Sequence, residues 1–178
     1  MMDPVFSLEG KTVIVTGAAQ GIGRAIVDQA LAAGANVAAV DLNTSQLQPL
    51  LDAQGSQRIL LLQGSVADPA FAEQAVAAAV AQFGAVDGLV NNAGITRPAM
   101  IDKMTLSEWQ QVIDVHLSGS FYFLQAVGRH LIARAKAAAQ SGGAAEAPRG
   151  AIVNISSDAG RRGTIGQINY SAAKAGVL

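Results

Sequence analysis

Close to the last residue, the stretch NYSAAKAG, residues 169–176, sets a phenol, Tyr170, four positions ahead of an amine, Lys174. If this stretch is helical, the two side chains share one face, a single turn apart. A phenol ordinarily titrates near ~10, so exchanging protons near neutrality calls for a neighbouring positive charge that favours the phenolate. Lys174 supplies that charge. Upstream, NISSD at 154–158 offers two hydroxyls, Ser156 and Ser157, either of which could hydrogen-bond a carbonyl oxygen. Each feature alone also fits ordinary structure, because Tyr/Lys pairs decorate surface helices and serine pairs are common in turns.

Three further motifs could hold a ligand for that chemistry. TGAAQGIGRA, residues 16–25, carries Gly17, Gly21 and Gly23 around Gln20 and Ile22. Such glycines let the backbone turn tightly and approach a ligand, and the helix that follows offers unpaired N–H groups to a pyrophosphate. The spacing differs from the common G-x-G-x-x-G fingerprint, and a bland tight turn reads the same way. Asp41 follows the next apolar run at roughly the ~20-residue distance where an acid takes the adenosine ribose hydroxyls. Its charge would repel a 2'-phosphate, and none of Gln20, Leu42 and Asn43 is basic, so the expectation is NAD rather than NADP. Asn91, Asn92, Ala93 and Gly94 combine small residues with amides that donate and accept, although an Asn/Gly turn has the same composition.

The elements between these motifs must bring them together. Lys11–Thr16, Asn36–Val40, Arg58–Leu62, Asp87–Val90 and Ala151–Ile155 read as short apolar strands. Helical patterns run from Arg24 to about Ala33, from the Asp68–Pro69 start signal, and from a capping-box sequence at Thr105–Glu108 through Trp109 to the alanines before 139. Alternating strands and helices predict a Rossmann-like, doubly wound parallel sheet in three α/β/α layers. Ligands in such sheets bind at the carboxyl ends of the strands, where every motif above falls. The stretch 139–150 has the composition of a surface loop. The 178 residues suit one domain, 1–178. A net charge of -1 gives no basic field for nucleic acid or anionic membrane. The absence of cysteine excludes disulfides and thiolate metal sites, and no metal is expected. No secretion signal or span of about 18 apolar residues is visible, which points to a cytoplasmic protein.

Taken together, TGAAQGIG, Asp41, NNAG, NISS and YSAAK closely resemble the short-chain dehydrogenase/reductase family over nearly the whole chain. The resemblance implies that Tyr170 exchanges the proton and that Ser157, thirteen positions earlier, positions the substrate oxygen, with Ser156 one position off. It implies that Lys174 binds the nicotinamide ribose and tunes the tyrosine, while the hydride chemistry belongs to the cofactor. His116 stands where the family usually has an Asn that supports a water-linked proton path, and is expected to replace it. Ser65 takes the place of an adenine-binding Asp, with Val66 packing on the adenine. The family also continues beyond the lysine helix, so the resemblance implies a chain incomplete at its C-terminus, with an exposed sheet edge. The motifs are most similar to 3-oxoacyl-acyl-carrier-protein reductases, which makes a 3-oxoacyl or 3-hydroxyacyl thioester the first substrate expectation. Sugar, polyol and steroid alcohols, or a non-catalytic nucleotide-binding scaffold, are the alternatives. The Gly119- and Gly128-containing helix suggests a homodimer or homotetramer.

Overall fold

The computed structural model describes residues 7–141 and 150–178. Strand β1 (Thr12–Thr16) runs into helix α1 (Gly21–Ala32), followed by β2 (Asn36–Asp41), a 3-10 turn at Ser45–Leu47, and α2 (Gln48–Gln54). Next come β3 (Ile59–Gln63), α3 (Pro69–Phe83) and β4 (Gly88–Asn91). Helix α4 (Leu106–Ile113) continues through a π-helical turn, Asp114–Ser118, into α5 (Gly119–Gln140). The last elements are β5 (Ala151–Asn154), α6 (Asp158–Arg162) and α7 (Ile168–Gly176).

All strand pairings are parallel, in the order β3-β2-β1-β4-β5. The expected Rossmann-like arrangement is therefore present. Chain order reverses between β1 and β4, and a sheet of this kind opens its ligand crevice at such a reversal. Both faces of the sheet are covered at β2, which is why that strand reads as an unbroken apolar run rather than an alternating one. Ala38 and Val40 join Ile14, Phe123 and Val127 in one core against α3 and α5. Val37 and Ala39 join Val15, Val27, Leu31 and Leu47 in the other, against α1 and α2.

The start signals operate as read. Asp68 caps α3 by accepting from the Ala70 N–H, with Pro69 at the first helical position. Thr105 and Glu108 form a reciprocal capping box on α4. Other boundaries differ: α1 begins at Gly21, three residues before the Arg24 start read from periodicity, because the glycine turn itself supplies the first helical turn. Helices α2 and α6 are too short to show a period and escaped the sequence reading. The expected loop at 139–150 begins later, since α5 extends to Gln140, and residues 142–149 lie outside the described residues. Gly119 does permit a close approach, but to Val66, 3.0 Å from where a Cβ would stand; Gly128 has nothing within 4 Å. Strand β5 forms one edge of the sheet, with all four residues exposed.

Candidate active site

The crevice at the reversal point is built by hydrogen bonds between the ends of β1 and β4. Thr16 Oγ1 accepts from the N–H groups of Asn92 and Ala93, at 3.0 and 3.1 Å. Asn92 Nδ2 donates to the carbonyls of Thr16 and Gly17. Asn92 therefore spends its amide donors holding the glycine turn in place. Gly17 and Gly21 have φ of 64° and 57°, a region that disfavours side chains. The resulting cavity, about 410 Å³, is lined by Gly17, Gln20, Gly21, Ile22, Asp41, Ser65, Val66, Asn92, Ala93 and Gly94. Gly23 stands behind this wall, packed on Gly17. Leu42, Gly64, Ile95 and Val115 complete the lining, and the sequence reading did not place them in the site. Asp41 is fixed by the Ala19 N–H at 2.9 Å and the Asn43 N–H at 3.2 Å. A carboxylate has about four lone-pair sites, so acceptor capacity remains.

A second cavity, about 620 Å³, opens from the first, and Ile22, Asn92, Gly94 and Ile95 line both. Ser156, Ser157, Tyr170, Lys174 and His116 line this second space. The four chemistry-bearing side chains expected from the sequence, Ser157, Tyr170, Lys174 and His116, thus line one space together with Ser156. The serines are distinguishable. Ser156 Oγ donates to the Lys174 carbonyl at 2.6 Å, which occupies its hydrogen. Ser157 Oγ instead accepts from the Ala159 N–H at the start of α6, which leaves its hydrogen available. Lys174 is buried, and Nζ donates to the Ile155 carbonyl at 2.5 Å while standing 5.8 Å from the Tyr170 ring centroid. Burial lowers the Lys174 pKa from the ordinary lysine value.

His116 sits in the π-helical turn, a feature often found at functional sites. The wide turn carries the imidazole to Gly94, where a Cβ would stand 2.3 Å from Cε1. Its ring meets Tyr170 edge-on, 5.2 Å between centroids. His116 Nε2 lies 2.9 Å from the Ile95 nitrogen and 2.8 Å from the Ile95 oxygen, while Nδ1 is buried without a partner. One ring nitrogen cannot accept and donate in the same tautomer. With the hydrogen on Nε2 the ring donates to the Ile95 carbonyl, and with the hydrogen on Nδ1 it accepts the Ile95 N–H. Ser120 Oγ donates to the His116 carbonyl at 2.6 Å.

Asn169 was missed by the sequence reading. Fully buried, it donates through Nδ2 to the carbonyls of Arg97 and Glu108, and its Oδ1 accepts the Tyr170 N–H. One amide thus ties the loop after β4, helix α4 and the tyrosine helix together. The signal available was an Asn beside the tyrosine, which composition alone could not separate from a polar surface residue.

Comparison with known proteins gives this geometry a family. Residues 11–178 match the family model described as short chain dehydrogenase. The chain belongs to the short-chain dehydrogenase family. It is 38% identical over 175 residues to the D-threitol dehydrogenase of Mycolicibacterium smegmatis, covering 97% of this chain and 62% of that protein. It is also 38% identical to the 3-oxoacyl-[acyl-carrier-protein] reductase FabG of Salmonella typhimurium, covering 97% of this chain and 65% of that one. A crystal structure of a short chain dehydrogenase from Mycobacterium avium superposes with a TM-score of 0.84 at 37% identity, over 96% of this chain and 60% of that chain. The chain therefore spans somewhat less than two thirds of the length of these relatives. Among the described residues, no helix is long and apolar enough to cross a membrane.

Within this short-chain dehydrogenase, both histidines resist protonation. Burial lowers the His116 pKa, the Lys174 charge adds to that, and the hydrogen bond from the ring to the Ile95 carbonyl opposes it. Burial, then the Arg134 charge, lowers the His130 pKa against the pull of Asp87, and His130 Nε2 accepts the Val86 N–H. Their contribution to stability is complete above the unfolded value of about 6.5 and is lost as pH falls through the lower folded values. Thermal unfolding followed from about pH 7.5 down to about pH 5 should show a falling midpoint. An Asn at 116 can serve the Ile95 N–H and carbonyl together, so His116→Asn should lessen that fall. An unchanged pH profile in His116→Asn would remove His116 as its source.

Proposed function

We propose that the chain carries the cofactor and catalytic halves of an NAD-dependent oxidoreductase that interconverts a secondary alcohol and a ketone by hydride transfer. The reading rests on one observation: a glycine-turn crevice opens directly into the cavity that Ser157, Tyr170 and Lys174 line. A dinucleotide laid along the α1 N-terminus would have its pyrophosphate on unpaired N–H groups and its adenosine end between Asp41, Ser65 and Val66. Its nicotinamide would pass Ile22, which is 63% exposed and stands at the junction of the cavities. The cofactor supplies hydride. Tyr170 would give a proton to the carbonyl oxygen or take one from the alcohol, Ser157 would hold that oxygen, and the Lys174 ammonium would stabilise the negative charge developing at the phenol. His116 would brace the Ile95 peptide and the tyrosine ring.

Among the described residues, Asp41 is the one charged residue lining the cofactor crevice, and no Lys or Arg lines it, which supports NAD over NADP. The FabG relatives support a 3-oxoacyl thioester as substrate; the D-threitol dehydrogenase name supports a polyol as the second reading. A homo-oligomer is supported by Phe121, Leu124 and Ile132, exposed on α5 with open Gly128 at helical spacing between them. Fluorescence titration with NADH and NADPH, followed by a screen of ketones and acyl thioesters, tests the reading. NADH should bind at least about tenfold more tightly than NADPH, as an acid facing a phosphate dianion requires. Binding without turnover of any carbonyl would favour a nucleotide-binding scaffold.

A further inference from the structure

The two joined cavities carry opposite charge. Among the described residues, the cofactor crevice is lined by a carboxylate and no cation, and the catalytic cavity by two cations, Arg97 and Lys174, and no carboxylate. The chain as a whole has a net charge of -1, so this positive space is local. Lys174 is committed to the Ile155 carbonyl and to the tyrosine beside it. Arg97 is not committed in that way. Among the described residues, no carboxylate lies within ion-pair distance of its guanidinium. Glu108, whose carboxyl is held below its ordinary value first by Thr105 and only last by Arg97, turns Oε2 to the Thr105 N–H and hydroxyl of the α4 cap.

Arg97 is nonetheless held in place. Its Nε donates to Gln111 Oε1 at 3.0 Å and one Nη1 hydrogen goes to the Thr96 carbonyl at 2.9 Å. Gln111 is itself oriented by donating to Ser107 Oγ. The Arg97 carbonyl is gripped by Asn169, the residue before the tyrosine. A guanidinium has five N–H donors in a planar fork, so three remain for a ligand. An arginine fixed along one edge and unneutralised on the other suits an oxyanion, which forms shorter and stronger charge-assisted bonds than a neutral oxygen.

We propose that Arg97 is a specificity-determining residue that binds a carboxylate or phosphate carried by the substrate a few atoms from its reacting carbon. The inference rests on the oxidoreductase reading and narrows it to oxo or hydroxy compounds with a nearby oxyanion, ahead of neutral ketones and neutral thioesters. The test compares matched pairs: acetoacetate with methyl acetoacetate, and dihydroxyacetone phosphate with dihydroxyacetone. In the unaltered protein with NADH, kcat/KM should favour the charged member of one pair, and which pair responds separates a carboxylate from a phosphate. In Arg97→Gln the charged-to-neutral ratio should fall by roughly tenfold or more, mainly through KM, and Arg97→Lys should recover part of it. A merely structural role would depress both members together and leave the ratio unmoved, which overturns the proposal. Equilibrium binding of the charged compounds to the Tyr170→Phe protein with NADH gives a readout without turnover. Arg97-dependent binding there, with no reduction of any ketone by the unaltered protein, would sink the oxidoreductase reading and keep the anion site. Reduction of neutral ketones with no preference for either charged compound would do the reverse.

Discussion

Tyr170→Phe is expected to bind NADH as the unaltered protein does and to lose carbonyl reduction by about a hundredfold to ten-thousandfold, the range a general acid contributes. The substitution removes one oxygen and keeps the ring. Contacts that depend on the ring, His116 edge-on at 5.2 Å and Lys174 at 5.8 Å, are retained, and Asn169 still grips the main-chain N–H. Stability should therefore change little. What disappears is the hydroxyl proposed to pass a proton to an oxygen held by Ser157, while the ammonium that would stabilise the resulting negative charge has nothing to act on. Single-turnover measurements with NADH separate this from an effect on product release. A variant that turns over at the original rate would show that another group carries the proton.

The second large effect is expected from Gly23→Ala, far from the proton chemistry. A Cβ at residue 23 would stand 2.0 Å from the Gly17 carbonyl oxygen, 2.8 Å from its carbon and 2.5 Å from Asn92 Nδ2. Two of these are backbone atoms in a turn that Thr16 and Asn92 already fix, so no side chain can swing aside. Helix α1 would have to withdraw from the turn, and the Asn92 hydrogen bonds to Thr16 and Gly17 would lengthen or break. Overpacking of this kind costs typically about 1–3 kcal/mol, and the displaced helix N-terminus should abolish measurable NADH binding. Gly21→Ala provides the comparison. Nothing lies within 4 Å of a Cβ there, so α1 and the turn should stay in place and that variant should lose only the stability its left-handed backbone costs, roughly 1–2 kcal/mol. Equal losses in the two variants would mean that the close packing of α1 on the turn does not shape the crevice.

The parts of the molecule legible in the sequence are those whose physics is local. A buried parallel strand announces itself as a β-branched run, a cap as Asp-Pro or Thr-x-x-Glu, and a ligand turn as spaced glycines. The candidate site was legible for the same reason, since Gly17, Asp41, Asn92, Ser157 and Tyr170 each fall at the end of a strand or the start of a helix. What escaped depends on partners distant in sequence. Asn169 acts on Arg97, 72 positions away, and Ser156 differs from Ser157 only in what α7 and α6 offer each hydroxyl. The role of Arg97 shows only when a whole cavity wall can be inspected for charge. Helices α2 and α6 lack the length for a period to emerge.

The widened turn at Asp114–Ser118 has an effect beyond delivering His116. Backbone angles stay helical on both sides of it, as at Ile113 and Gly119, so α4 and α5 form one rod whose two halves are rotated out of step. Val112 on one half and Phe123 on the other are both completely buried. Each α-helical residue advances the rod by about 100°. Removing a single amino acid between 114 and 118 would restore regular winding and leave Phe123, Ala126 and Val127 on the sheet, because the lost residue and the lost underwinding cancel. The segment therefore behaves as a phase adjuster that takes up one surplus residue without turning the buried face of α5 off the sheet.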